Sequence, residues 1–190
     1  MTQASIKGVA FQSVAEDIHR LRTEGRIGEH ELETHLKPED MAHLDEMVVP
    51  SLWYPVDVYG RCLDLLCSVE GQGRTSYLVT RGIKAAERMM AVGAYRHFLA
   101  AADRWGQRAG QAMVQLASAM YNFMDWVIHH DESADTTTIE VRGAADLPDA
   151  ARYTAQGFVE VLFSRIGGAP VEVVTRRPGP DLVTYEIRRR

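Results

Sequence analysis

The chain has no apolar run close to the ~18 residues needed to cross a bilayer. Its opening residues, MTQASIKG, lack the charged-then-apolar pattern of a secretory signal. Cysteine is scarce, with only Cys62 and Cys67 present. On one helix, at that spacing, they would sit ~7.5 Å apart along the axis and face different sides. This excludes a disulfide between them, and it excludes a helical pair of metal ligands, which sit three or four residues apart. Positive charge is not in surplus either. With 21 Lys+Arg against 26 Asp+Glu, the formal net charge is −5, whereas a general nucleic-acid binder carries a basic excess. The basic clusters at Arg176-Arg177 and Arg188 to Arg190 fit a solvated turn and strand end. These absences predict a cytoplasmic protein with no membrane span and no nucleic-acid partner.

Catalytic and metal signals are missing as well. No serine occupies a nucleophile-elbow pattern, and no glycine loop has phosphate-binding spacing. Gly71-Gln72-Gly73-Arg74 lacks both the lysine and the preceding strand. His30 and His35 flank glutamates in HELETH, but they are five residues apart. Zinc-protease chemistry needs two histidines four apart on one helix face, so this segment reads as a solvated helix surface. His129 and His130 are adjacent, and neighbouring side chains diverge in either a strand or a helix. An ordinary polar turn therefore accounts for His129-His130-Asp131. The expectation is no catalytic set, no metal and no cofactor.

What is present is an ordinary globular composition, 46% hydrophobic and 25% charged over 190 residues. One domain spanning 1–190 is expected. The organising stretch is 75–105, read as one long helix. At 100° per residue, Val79, Ile83, Ala86, Met90, Gly93 and His97 share one side, and Arg81, Lys84, Arg88 and Tyr95 share the other. The small residues in that apolar stripe invite close packing. His97 lies at its centre and is the main chemical oddity. A buried histidine bonded to a carbonyl or carboxylate is the bland account of it, and a ligand contact is the sharper one. Met89, Met90, Met113, Met120 and Met124 are soft side chains that can fill a core or line an apolar pocket. The pocket candidates are thus Met90, Gly93, His97 and Met120.

Around this helix the chain reads in order. Residues 6–11 suggest a strand. Ser13 and Glu16 form a capping box before a helix with Val14, Ile18 and Leu21 inward. A short helix over 29–36 follows. Another begins at Pro38, with Met41, Leu44 and Met47 inward. Trp53, Tyr54 and Tyr59 are expected to be structural, with Trp53→Ala costing about 3 kcal/mol if the ring is buried. A helix carries Tyr59, Cys62, Leu66 and Val69. Residues 111–122 form another helix, 125–142 a hairpin whose first strand over 126–130 could instead finish that helix. A helix capped at Asp146 has Ala151, Ala155, Phe158, Leu162 and Ile166 inward and ends at Gly167-Gly168. Strands over 171–175 and 182–187 flank a turn over 176–181.

The strings IKGVAF, SLWYPVDVYGRCLDLL and GFVEVLFSRIGG resemble an uncharacterised paralogous family abundant in myxobacteria. That family is similar in turn to the haem nitric-oxide-binding domains, the 4-vinyl-reductase domains and the TRAPP trafficking subunits. The resemblance implies an α+β fold: a helical N-terminal half wrapped around a small antiparallel sheet made by hairpin–helix–hairpin. It also implies an internal pocket and a homodimer. It does not imply haem here. The helix that would supply the axial ligand, 111–122, contains no histidine. Where the haem domains carry a tyrosine–serine–arginine set, this chain has only Arg142. Three functions follow as expectations. One is a non-enzymatic sensor or interaction module holding a small apolar ligand. Another is an enzyme on a small hydrophobic or aromatic substrate using His97. The third is a TRAPP-like assembly subunit.

Overall fold

Burial, more than length, picks out the structural centre of this molecule. Helix α4 (Val56–Val69) buries Val58, Tyr59, Cys62, Leu63, Leu65 and Leu66. A helix apolar on most sides must be enclosed by other elements. The structure, a computed structural model, describes residues 3–91, 114–131 and 136–190. On one side α4 meets α1 (Gly8–Thr23), whose Phe11, Val14, Ile18 and Leu21 recur at helical spacing and are buried. The chain enters α1 from a short strand, β1 (Ser5–Lys7). The helix therefore starts six residues earlier than the Ser13 capping box suggests. Its first amides are satisfied by the connector, with Gly8 N–H donating to Leu52 O at 2.8 Å and Val9 N–H to Pro50 O at 3.0 Å. Gly8 permits this approach, because a Cβ there would lie 2.1 Å from Val49 O.

That connector ends in β2 (Trp53–Pro55), antiparallel to β1 with Ile6 opposite Tyr54. The Tyr54 ring stacks on Phe11 at 5.0 Å, and its hydroxyl accepts from Val49 N–H at 2.8 Å. Tyr59 is buried, as expected of a structural residue. Trp53 is not: it is 43% exposed, with Lys7 Nζ 3.9 Å above its ring. Strand pairing, not ring burial, fixes it, so the condition for a large cost on truncation is not met. Between α1 and β2 lie α2 (Glu29–His35), a 3-10 turn (Pro38–Asp40) and α3 (Met41–Asp45). Met41 and Leu44 are half-buried, but Met47 is 87% exposed, because α3 stops at Asp45 and the chain turns extended. Under this cover Asp40 is completely buried, held by Arg61 Nε and Nη2 at 2.6 and 2.7 Å and by Lys37 N–H at 2.9 Å.

Helix α5 (Thr75–Ala91) crosses α6 (Asp149–Gly167) at very close range. A Cβ on Gly82 would lie 1.9 Å from Thr154 O, and one on Gly157 would lie 1.9 Å from Val79 O. Each helix backbone thus sits in the notch left by the other's glycine. The continuation of the long helix over 92–105, Met113, and the turn over 132–135 lie outside the described residues. Within 114–122, residues 114–118 are helical and Tyr121 makes an isolated bridge to Ile6.

The C-terminal part is hairpin, helix, hairpin. Strands β3 (Asp125–Asp131), β4 (Thr136–Arg142), β5 (Val171–Gly179) and β6 (Leu182–Arg189) form one antiparallel sheet ordered β3-β4-β6-β5. Residues 126–130 are therefore strand. In register, Trp126 faces Val141, Val141 faces Val183, and Ile139 faces Tyr185, so the buried residues share the face that α6 covers. The last hairpin is longer than expected: β5 reaches Gly179 through a register shift after Arg176. There Arg177 is not simply solvated but donates to the carbonyls of Ala144 and Leu147. Helix α6 begins at Asp149 behind Pro148, because Gly143, at φ +73°, first turns the chain into a 3-10 segment over Ala144–Asp146. Ala151 and Leu162 are buried and Ala155 and Phe158 half-buried on its inner face, and Gly168 ends the helix in the left-handed conformation. The side chain of Ile166, expected on that face, lies outside those described. The architecture is α+β, with a helical N-terminal half against a small antiparallel sheet. Among the described residues no helix is long and apolar enough to cross a membrane.

Candidate functional site

Four helices and two strands leave a cavity of about 310 Å³ between them. Helix α1 contributes Val9, Ala10 and Ser13, α4 contributes Tyr59 and Leu63, and α5 contributes Arg81, Ala85 and Met89. Helix α6 closes it with Thr154, Ala155 and Phe158, and β3 with Trp126. Met120 and Tyr121, just after the 114–118 helical turns, also line it, as does Ile6 of β1. Small residues on α1, α5 and α6 leave the space, and aromatic rings frame it. Tyr121 stacks on Trp126 at 6.2 Å, and Trp126 on Tyr185 at 5.7 Å and 5°. The volume lies at the small end of the ~300–1,000 Å³ typical of ligand pockets.

The buried charge in the wall is Arg81, only 9% exposed. It was expected on the solvent side of α5. Instead the buried stripe runs through Leu78, Gly82, Ala86 and Met89, about one residue round from the expected one, and carries Arg81 inward. The charge is tolerated because it is paired. Nη1 donates to Asp17 Oδ2 at 2.7 Å and to the Tyr77 hydroxyl at 3.3 Å. Tyr77 donates to Glu70 at 2.7 Å, and Arg20 reaches both Glu70 and Asp17 at 3.4 Å. The result is a closed ring, Arg81–Asp17–Arg20–Glu70–Tyr77, tying α1, the end of α4 and α5 together. Burial works against the Arg81 charge, but Tyr77 and Asp17 outweigh it and raise its pKa. Burial, then the bond to Glu70, pushes Tyr77 up to about 12. Burial also pushes Tyr59 up to about 12, against the pull of the Arg81 charge, and raises Tyr121 well above the usual phenol value.

No acid–base pair faces this space among the described residues. Among the described residues that line it there is no histidine, and Glu16 is the one carboxylate, exposed and bonded by Gln12 Nε2 at 2.8 Å. Cys62 lies nearby in the core, but burial lifts its thiol to about 12, which leaves it unreactive. Of the four residues picked from sequence, Met120 lines the cavity, whereas Met90 is half-buried outside it and its neighbour Met89 lines it. Gly93 and His97 lie outside the described residues. His129 and His130 alternate along β3, at 3.5 Å from Glu140 and 3.1 Å from Thr137 respectively. No cluster of three or more candidate metal ligands occurs among the described residues. Sequence reasoning missed Arg81, Trp126 and Tyr121. For Arg81 the available signal was its position one turn after Tyr77 and beside Gly82, on the face where small residues gather.

No protein-family model matches the chain, and no curated protein matches it. Solved structures do. The chain is similar to the Fe(II) unliganded H-NOX protein from K. algicida, at 12% identity and TM-score 0.63 over 97% of each chain. A point mutant of that protein gives 13% identity and the same TM-score. The Fe(II)NO form of an H-NOX protein from S. oneidensis gives 11% identity and TM-score 0.57, covering 97% of this chain and 99% of that one. At such identities the likeness establishes the fold, and the remote resemblance to haem nitric-oxide-binding domains holds at that level.

Proposed function

We propose that this chain is a non-enzymatic cytoplasmic sensor or interaction module that holds a small, largely apolar ligand without haem. The observation that carries this is the cavity of about 310 Å³, walled by Leu63, Met89, Trp126 and Phe158, in a chain whose structural neighbours are H-NOX proteins. The absence of an acid–base pair among the described lining residues favours binding over chemistry. Met120 contacts the ligand in this proposal, with Gly93 and His97 as further contacts, whereas Met90 on α5 stands outside the cavity.

Two features argue against haem. Haem iron needs an axial side chain such as histidine, and no histidine is among the described residues lining the cavity. Arg142, the single match to the haem-carboxylate set, is exposed and bonded to Glu140 at 2.9 Å. These residues do not fit the group. The whole chain acts as one domain and pairs as a homodimer, the commonest symmetric assembly.

Native mass spectrometry beside the denatured mass tests the ligand. We expect a heterogeneous, substoichiometric adduct of small organic molecules that denaturation removes. A retained stoichiometric metal would overturn the proposal.

A further inference from the structure

We propose, resting on the ligand-pocket reading above, that the occupant is a small aromatic monocarboxylate whose carboxylate bonds the free edge of Arg81. Three observations converge on it. The first is the state of the guanidinium. Arg81 is buried in the cavity wall, yet among the described residues only Nη1 of its three nitrogens makes hydrogen bonds. A guanidinium presents donors in a planar fork that matches a carboxylate with two parallel bonds. Nε and Nη2 form such an edge, and neither makes a hydrogen bond among the described residues.

The second observation is the charge of the wall. In a protein of net charge −5, the charged described residues lining the cavity are Arg81, Arg88 and Glu16. Glu16 and Arg88 are exposed. The enclosed part therefore holds a cation, which Asp17 balances from the α1 side. Asp17 is itself shared with Arg20 at 3.4 Å, so its negative charge is divided between two cations. An entering carboxylate meets the guanidinium of Arg81 rather than a carboxylate, and burying that carboxylate is affordable only where such a partner waits.

The third observation is the shape and lining of the rest. Tyr59, Tyr121, Trp126 and Phe158 supply aromatic surface, and a flat ring can stack or meet them edge-on. The indole Nε1 of Trp126 is buried in this wall with no hydrogen-bond partner among the described residues, which leaves it free to donate to the same carboxylate. The cavity volume limits the ligand to one or two rings with a short acidic arm.

The experiment is isothermal titration of the full chain with 4-phenylbutyrate and with its neutral twin 4-phenylbutan-1-ol. The acid is expected to bind about tenfold or more tightly than the alcohol. In Arg81→Gln that preference should vanish, the acid losing more affinity than the alcohol. In Arg81→Lys, which keeps the charge but loses the fork, it should shrink. Arg81 also holds Asp17, so a variant that misfolds decides nothing, and the acid-to-alcohol ratio of the unaltered protein then decides alone. Equal binding of acid and alcohol would overturn anion recognition while leaving the pocket standing. If neither probe binds at millimolar concentration, anion recognition is overturned. The pocket reading falls with it only when native mass spectrometry also finds no adduct.

Discussion

Asp40 shows how much a single side chain can carry in this molecule. Its carboxylate is completely buried and accepts bonds from Arg61 and from the Lys37 amide. Burial alone would raise its pKa, but those bonds win and hold it below the usual value. A carboxylate depressed on folding, from an unfolded value near ~3.9, adds stability at all pH above that value. The contribution is lost as pH falls through the lower folded value. Asp40→Asn is therefore expected to cost about 3 kcal/mol at neutral pH, low in the range for buried pairs because Arg61 still reaches solvent. Urea titrations should show that gap steady above about pH 4 and closing below it. A gap unchanged in strong acid would mean that packing, not ionisation, makes the difference. Nothing in the local sequence marks Asp40, since its partner lies 21 residues on. Tyr59 and Cys62 were legible as core, because helical spacing alone places them inward.

At the scale of elements, the α5–α6 crossing is the feature most open to test. Gly82→Ala and Gly157→Ala each push a methyl into the opposite backbone, where nothing can rotate aside. Each should cost about 3 kcal/mol by overpacking, against the slight gain that alanine gives an exposed helical glycine. Chemical denaturation with wild-type stability for either variant would show that the helices separate easily. The small residues on α5 were visible in the sequence and predicted close packing there. The partner was not visible, because helix crossings depend on tertiary placement rather than periodicity. The start of α1 was misjudged for a related reason. Ser13 and Glu16 have the capping pattern, but amides capped by carbonyls some 40 residues later leave no local trace. Strand β4 was legible, because its threonines, isoleucine and valine favour strand, whereas β3 could equally have read as the end of a helix.

For the molecule as a whole, the sequence of elements and the family likeness were enough to anticipate an α+β, haem-domain-like architecture. The cavity was not legible, because its wall is assembled from β1, α1, α4, α5, α6 and β3, and each of those pieces looks like ordinary core. Two expectations belong at this scale. Incubation with excess haem, followed by removal of the unbound fraction, should leave no Soret band. A stoichiometric band that disappears in His97→Ala would instead put iron at the centre of the function. Light scattering at micromolar concentration should give twice the chain mass, and a monomer mass would remove the homodimer. One more consequence follows from where β1 is fastened. Ser5 N–H donates to Asn122 Oδ1 at 2.7 Å, and Lys7 N–H to Met120 O at 2.9 Å. These partners leave the ribosome about 6–23 s after Ser5 at ordinary rates of synthesis. Until then the first strand has only β2 to hold it, and Ile6 and Tyr121, both part of the cavity wall, are still apart. The binding space is thus a late product of translation, and nascent chains halted before Met120 cannot yet enclose a ligand.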